Sequence, residues 1–571
     1  MLITLFFWSY AALLCLLYGC LFVAWTDRFP PAGAEKTSLA LPLVILAGFS
    51  LISVLAALLA FVMPLALVAN LILAGGGIGL ALAMRKHLAR QIRAVHPDRS
   101  AGGILAGVLF AAIALVTLTK TIGLPANYDT GLYHAQTIRW IETYAVVPGL
   151  GNLETRLAFD SLWFLPEALF SFSFAGSGSL HVLNGGLFLL VNAWLIAKTA
   201  RLLRGDISLS NLAAPVLIFF SRRLFSLELS SPGNDLPAAL LTWVVFLVAT
   251  EKIEAGRSRE IDASLALLWL LAAFTTTIKL SSAPVVLVPL HFSLLSSSRP
   301  AWKRSMWPLA GAAFVFIPWL ARNVILSGYL VYPAAGLDLF NFDWQVPARY
   351  VRQTAADIAA WARLPGRPTA EVLAAPLKTW LPVWWNAQTD LTRELLGGTV
   401  AGAGLIGLAA LGRGLRARRF SQVSMLFIYA WIGLAYWFFS APDIRFGYGF
   451  VTISIALCIG AVLGWLLPRL KRLTRPAVLA ILLGLIAYQA VSLYRARDVS
   501  QFTGNWIRPA GYPAAQVEVR RLGGFDVNMP AAGNQCWYAP LPCTPNHNPE
   551  VHLRGQSLQA GFCNRDDCRK Q

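Results

Sequence analysis

Five stretches of the chain carry side chains able to do chemistry, each at or near the end of an apolar run. "NYDTGLYHAQTIRW" (127–140) sets Asp129 five residues before His134. "SPGNDLP" (231–237) offers Asp235, "FTTTIKLSSAP" (274–284) offers Lys279, and "PWLARNVILSGYLVYP" (318–333) offers Arg322. "APDIRFGYG" (441–449) holds Asp443, Arg445 and Tyr448. A carboxylate beside a hydroxyl acts as a general base, an effect worth typically about 10²–10⁴-fold in rate. Arginine and lysine neutralise a phosphate, including one that departs as a leaving group. An acid facing several cations therefore suits a reaction on a phosphate-bearing substrate.

Each residue taken alone has a plainer role. Asp129 could cap the helix that starts near Gly131, and His134 could be an ordinary interfacial histidine. Lys279 and Arg322 could snorkel at helix ends, and Asp443 and Arg445 could form a routine ion pair. Asp235 stands where a turn favours Asn, Asp and Gly, and "TWLPVWW" (379–385) reads as an interfacial tryptophan belt. Only a shared location separates the chemical reading from these.

The elements that must position these residues follow from composition. Of 571 residues, 57% are hydrophobic and 13% charged, too little polar surface for a soluble protein of this length. Repeated apolar runs of roughly 17–25 residues, enough to cross about 30 Å of hydrocarbon, predict an all-α polytopic membrane protein. Their continuity disfavours a β-barrel. The net charge of +19 does not point to nucleic acid, because the basic residues sit in short stretches between runs: 85–99, 197–204, 299–304, 413–419 and 468–475. That is the positive-inside pattern, and it assigns those stretches to the cytoplasm.

Alternation from these anchors predicts about fourteen transmembrane helices with both termini exterior. Residues 1–102 form the N-terminal helices and a basic loop, 103–493 a membrane core, and 494–571 an exterior tail. The exterior loops are 123–179 and 324–395, the first with amphipathic interfacial helices at 133–144 and 160–172. All five chemical stretches then fall on one membrane surface. Residues 397–412 are read as a further crossing. The first run, 2–25, lacks a basic leader and a small-residue cleavage site, so it reads as a retained helix.

Three of the seven cysteines, Cys15, Cys20 and Cys458, lie in apolar runs and read as core residues. Cys536, Cys543, Cys563 and Cys568 fall in the polar tail without the CxxC pairs of a zinc site. Disulfides in an oxidising compartment fit better, with all three connectivities open.

In their order along residues 103–467, these stretches resemble the GT-C superfamily of integral-membrane glycosyltransferases. "YDTGLYH" is similar to that superfamily's acid-bearing first exterior loop, "FTTTIKLSSAPVVLVPL" to its Lys–Pro hairpin, "PWLARNVILSGYLVYP" to its Arg–Asn element and "APDIRFGYGF" to its late arginine turn. Asp129 is followed by Thr130 rather than a second acid, and three helices precede the usual first one. The combination of "NYDTGLYH", "VPGLGNL", "APDIRFGYGF" and a terminal "CW…PC" also resembles a group of uncharacterised bacterial membrane proteins.

The resemblance implies a GT-C-like bundle in the bacterial inner membrane with its active face periplasmic. It implies inverting transfer of a sugar from a polyprenyl-phosphate donor to an envelope glycan, lipid or protein acceptor. Asp129 would be the general base, with His134 beside it. Lys279, Arg322 and Arg445 would hold the phosphate, while Asp235, Asp443 and Tyr448 orient substrate. No cofactor follows, and a divalent cation stays open. The alternatives are a lipid-linked glycan flippase or transporter and a non-catalytic envelope assembly subunit. Charges within the apolar runs are scarce and no internal duplication is visible, which counts against a transporter.

Overall fold

A computed structural model describes residues 1–28, 39–93, 99–176, 180–296, 302–404, 406–408, 412, 421–470, 474–495, 506–546, 548–564 and 568. The basic stretch at 413–419 lies outside them. So do parts of those at 85–99, 299–304 and 468–475, and residues 405 and 409–411 of the run at 397–412.

The apolar runs form helices whose starts are written locally. Ser100, Ser208, Asp262, Ser421 and Asp443 each accept a hydrogen bond from a backbone N–H in the first turn of the helix that follows. Among the described residues nine helices are long and apolar enough to cross a membrane, rather than the expected fourteen. A tenth is the pair Leu67–Ala83 and Arg85–Arg93, bent by 81°. The shortfall has a local cause. Leu209–Leu224 and Ala263–Ile278 are 16 residues each, and the returning arm of the hairpin, Leu280–Leu295, is also short and is 3-10 over Leu280–Val286 before it becomes α-helical at Leu287.

Helix Asp235–Glu254 is the axis of the bundle, buried along almost its whole length. It packs against Leu183–Leu202, Ala263–Ile278 and Ile444–Leu466. Leu2–Thr26 and Leu41–Leu59 lie unusually close. A Cβ on Gly48 would stand 1.7 Å from the Cys15 carbonyl oxygen, and one on Gly19 would stand 2.1 Å from that of Val44. Only small residues permit that approach.

The first of the two expected exterior loops, 123–179, is more ordered and more buried than amphipathic segments would be. Residues 130–143 form a π-helical turn, Thr130–His134, followed by helix Ala135–Thr143. The second expected helix shortens to Phe164–Leu169 and is buried rather than interfacial. Ser161 Oγ donates to the Ile278 carbonyl at 2.8 Å and Leu162 N to Thr277 O at 3.2 Å, so tertiary contacts claim groups that a longer helix would use. In the other loop, Trp380 and Trp384 are buried against the Gln422–Ser440 helix, and Trp385 alone of the three is exposed. The expected belt is mostly core.

The tail is a small β module. Val517–Leu522 and Phe525–Pro530 pair antiparallel through a two-residue Gly523–Gly524 turn with both φ values positive (52° and 92°), a turn suited to glycine. His552–Leu553 pairs with Phe562–Cys563. The disulfides join neighbours in sequence, Cys536–Cys543 and Cys563–Cys568. Phe525, Val527, Met529 and Phe562 bury themselves against Trp140, Val147 and Leu150 of the first loop. The first loop and the tail, hundreds of residues apart in sequence, thus share one core.

Candidate active site

Five helix ends converge on one face of the bundle, and their local sequence explains what each presents. After helix Ala101–Thr121 the chain turns at Asn127, whose Oδ1 accepts from the Asp129 N–H at 2.9 Å. Asn127 Nδ2 donates to both carboxylate oxygens of Glu228, at 2.8 and 2.9 Å. Thr130 and Ser231 join hydroxyls at 2.6 Å. These bonds fix the Asp129 turn to the segment that follows helix Leu209–Leu224.

Asp235 opens its helix, and Asn234 Nδ2 donates to the Ile278 carbonyl at 3.1 Å, tying that helix start to the end of Ala263–Ile278. Lys279, the residue after Ile278, turns to extended backbone and forms an ion pair with Asp235. Its ammonium lies 3.9 Å from the centroid of the Phe446 ring, a cation–π geometry. Asp443 caps helix Ile444–Leu466 and also pairs with Arg445, Nη2 to Oδ2 at 3.1 Å.

Arg445 is the hub. Its Nη1 lies 3.1 Å from Asp129 Oδ2 and 3.8 Å from Asp235 Oδ2. Residues 316 positions apart are thereby joined. Asp129 precedes the π-helical turn without capping it through its side chain; its carboxylate turns to Arg445 instead. The capping role is therefore not the one it plays. Asp443 and Arg445 do form the expected local pair, but that pair is the anchor of a larger network.

Asp129, Asp235, Asp443, Lys279 and Arg445 thus come together, with three carboxylates against two cations. Both cations are already neutralised, so an incoming anion must displace a carboxylate. Among the described residues no group of three His, Cys, Asp or Glu side chains is placed to hold a metal.

The remaining expected residues lie differently. His134 is buried between the rings of Tyr133 and Phe164, with centroids 4.4 and 5.3 Å away. Burial holds its pKa down to about 4, so it is neutral at pH 7. It makes no ion pair in this network. Tyr448 lies one helical turn beyond Arg445, its ring 5.8 Å from that of Phe225. Arg322 does not join the cluster. It is only 2% exposed, pairs with Asp160 at 3.1 Å, and lines a separate cleft with Trp140, Tyr144 and Phe159. A buried cation neutralised there is a structural partner of Asp160 rather than a phosphate ligand beside Asp129.

Glu228 and Asn127 escaped sequence reasoning. Burial, reinforced by Asp235, pushes the Glu228 carboxyl up to about 7. An acid directly after an apolar run, in "ELSSPGND" (228–235), was the available signal.

Residues 1–452 match the family described as Domain of unknown function (DUF8201). That stretch contains every member of the cluster and ends before the cysteine-bearing tail. No curated protein matches the chain.

Proposed function

We propose that this chain, which belongs to the DUF8201 family, transfers a sugar from a polyprenyl-phosphate donor to a hydroxyl acceptor at one face of the bacterial inner membrane, the periplasmic one. Asp129 takes the acceptor proton. The acceptor oxygen attacks the anomeric carbon from the face opposite the leaving group, and the anomeric C–O bond breaks with its electron pair going to polyprenyl phosphate. The product is inverted. Lys279 and Arg445 stabilise the phosphate charge that develops. The acceptor is a glycan, lipid or protein of the envelope.

One observation carries this reading: a carboxylate at a helix start that makes no cap and faces, at 3.1 Å, a guanidinium whose neighbourhood includes a lysine. Arg445 pairs with Asp129 at 3.1 Å. A donor phosphate that takes over Arg445 frees Asp129 to act as base, so donor binding switches on the base. A location at helix ends also suits a donor whose tail lies in the bilayer and whose headgroup stands at the surface.

The test is binding and transfer in lipid nanodiscs. Short-chain polyprenyl phosphate should bind the wild type, and Lys279→Ala and Arg445→Ala should each weaken binding at least about tenfold, the loss of one charge-assisted hydrogen bond. A wild type that neither binds polyprenyl phosphate nor transfers sugar from any polyprenyl-phosphate sugar would overturn the proposal.

A further inference from the structure

We infer that the Cys536–Cys543 loop of the tail is a wall of the Asp129 site and positions Asp129 for reaction; as a statement about reaction it rests on the function proposed above. In the turn carrying Asp129, Ala135 N–H bonds the Thr130 carbonyl, one residue further back than in an α-helix. The Gly131 carbonyl accepts from the Trp537 N–H at 2.9 Å. The Trp537 indole packs so closely on Gly131 that a Cβ there would lie 2.6 Å from Trp537 Cε2. Only glycine fits there.

The contacts continue on both sides of that bond. Gln535 Nε2 donates to the Tyr128 carbonyl at 2.8 Å, and the Tyr128 hydroxyl bonds Asn534. Gln136 Nε2 donates to the carbonyls of Trp537 at 3.1 Å and Ala539 at 2.9 Å. The Arg139 guanidinium stacks 4.5 Å from the Tyr538 ring centroid, and the Tyr538 hydroxyl bonds Glu142. Residues 128–142 are thus held on one side by 534–539.

A disulfide that closes residues 536–543 restricts the conformations of a segment which must present N–H and C=O groups in this fixed order. The opposite side of the Asp129 turn is held by Asn127, Glu228 and Ser231. Asp129 is therefore set from two directions, one from the membrane body and one from the tail. The phosphate-facing cations, Lys279 and Arg445, belong to the membrane body alone. The division gives the proposal its signature: losing the loop misplaces the base but leaves the cations in place.

The experiment compares wild type with Cys536→Ser/Cys543→Ser and with Trp537→Ala. Amide hydrogen exchange of residues 128–136 should accelerate about tenfold in both, while exchange in 235–250 stays unchanged. Transfer should fall about 100-fold in kcat, as for an approximately 1 Å misplacement, with polyprenyl phosphate affinity not weakened and at most about fivefold tighter as Asp129 loosens from Arg445. Cys563→Ser/Cys568→Ser should instead loosen residues 147–153, since Phe562 N–H bonds the Pro148 carbonyl at 2.9 Å. Should the double serine protein not fold, the Gln136→Ala/Gln535→Ala variant removes side-chain bonds only and should show the same exchange footprint. Unchanged exchange over 128–136 in the folded variants overturns the clamp whether or not the chain transfers sugar. A wild type without transfer, but with the exchange footprint present, overturns only the assignment to catalysis.

Discussion

Replacing Asp129 with asparagine separates the two roles open to this residue, because structure and chemistry put different magnitudes on them. The substitution keeps shape and removes one charge. Asp129 and Arg445 stand at 3.1 Å with side-chain exposures of 27% and 30%, so solvent screens the pair and its net worth is about 1 kcal/mol. Arg445 also keeps Asp443 at 3.1 Å and Asp235 at 3.8 Å. The thermal midpoint of Asp129→Asn should therefore move by no more than about 4 °C. As a general base, in contrast, Asp129 accounts for about 10²–10⁴-fold in rate, or about 2.7–5.4 kcal/mol of barrier. Binding should shift the other way. With Asp129 no longer competing for Arg445, polyprenyl phosphate should bind up to about fivefold more tightly, about 1 kcal/mol expressed as affinity. The assay is transfer of labelled sugar from a synthetic polyprenyl-phosphate sugar, alongside phosphate-lipid binding and thermal unfolding of the same preparation. Folded Asp129→Asn protein that transfers at near the wild-type rate would refute the assignment. A protein that fails to fold would instead make Asp129 a structural residue.

Two further outcomes are expected. The Glu228 carboxyl, held up at about 7 by burial and Asp235 against an ordinary value near 4.5, keeps its proton in the folded state over a range where the unfolded chain has lost it. Its favourable contribution is full below about pH 4.5 and is lost as pH rises through 7, so Glu228→Gln should flatten a fall in thermal midpoint between pH 5 and pH 8, and parallel pH curves would contradict this. Asp160→Asn should leave the buried Arg322 guanidinium without its counter-charge and destabilise the fold by about 3–5 kcal/mol; unfolding that matches wild type would show the pair to be dispensable.

Much of the architecture was legible in the residues. Apolar runs gave helices because each had to satisfy its own backbone and bury or solvate its side chains in lipid. The tail cysteines read as disulfides, and the residues at 129, 235, 279, 443 and 445 do meet. The number of crossings was not legible, since a 16-residue helix and a short returning arm that begins as 3-10 helix look, as hydropathy, much like full spans. Neither was the burial of 162–171, where Ser161 and Leu162 bond the backbone of a helix more than a hundred positions away.

The sequence alone therefore determined what kind of object this is: a mostly helical chain with apolar helices, charged residues at their ends and an oxidised tail, whose β module it did not announce. Those properties depend on neighbours within a few positions, through hydrogen-bond period, capping and transfer of apolar surface. Tertiary structure alone decided who faces whom. Arg445 reaches Asp129 as well as its neighbour Asp443, Arg322 turns away to Asp160, His134 is buried among rings, and the Trp537 backbone meets Gly131. Charge does not select its partner along the chain; it pairs with whichever opposite charge the packing of helix ends brings within about 4 Å. That packing is a property of the whole bundle.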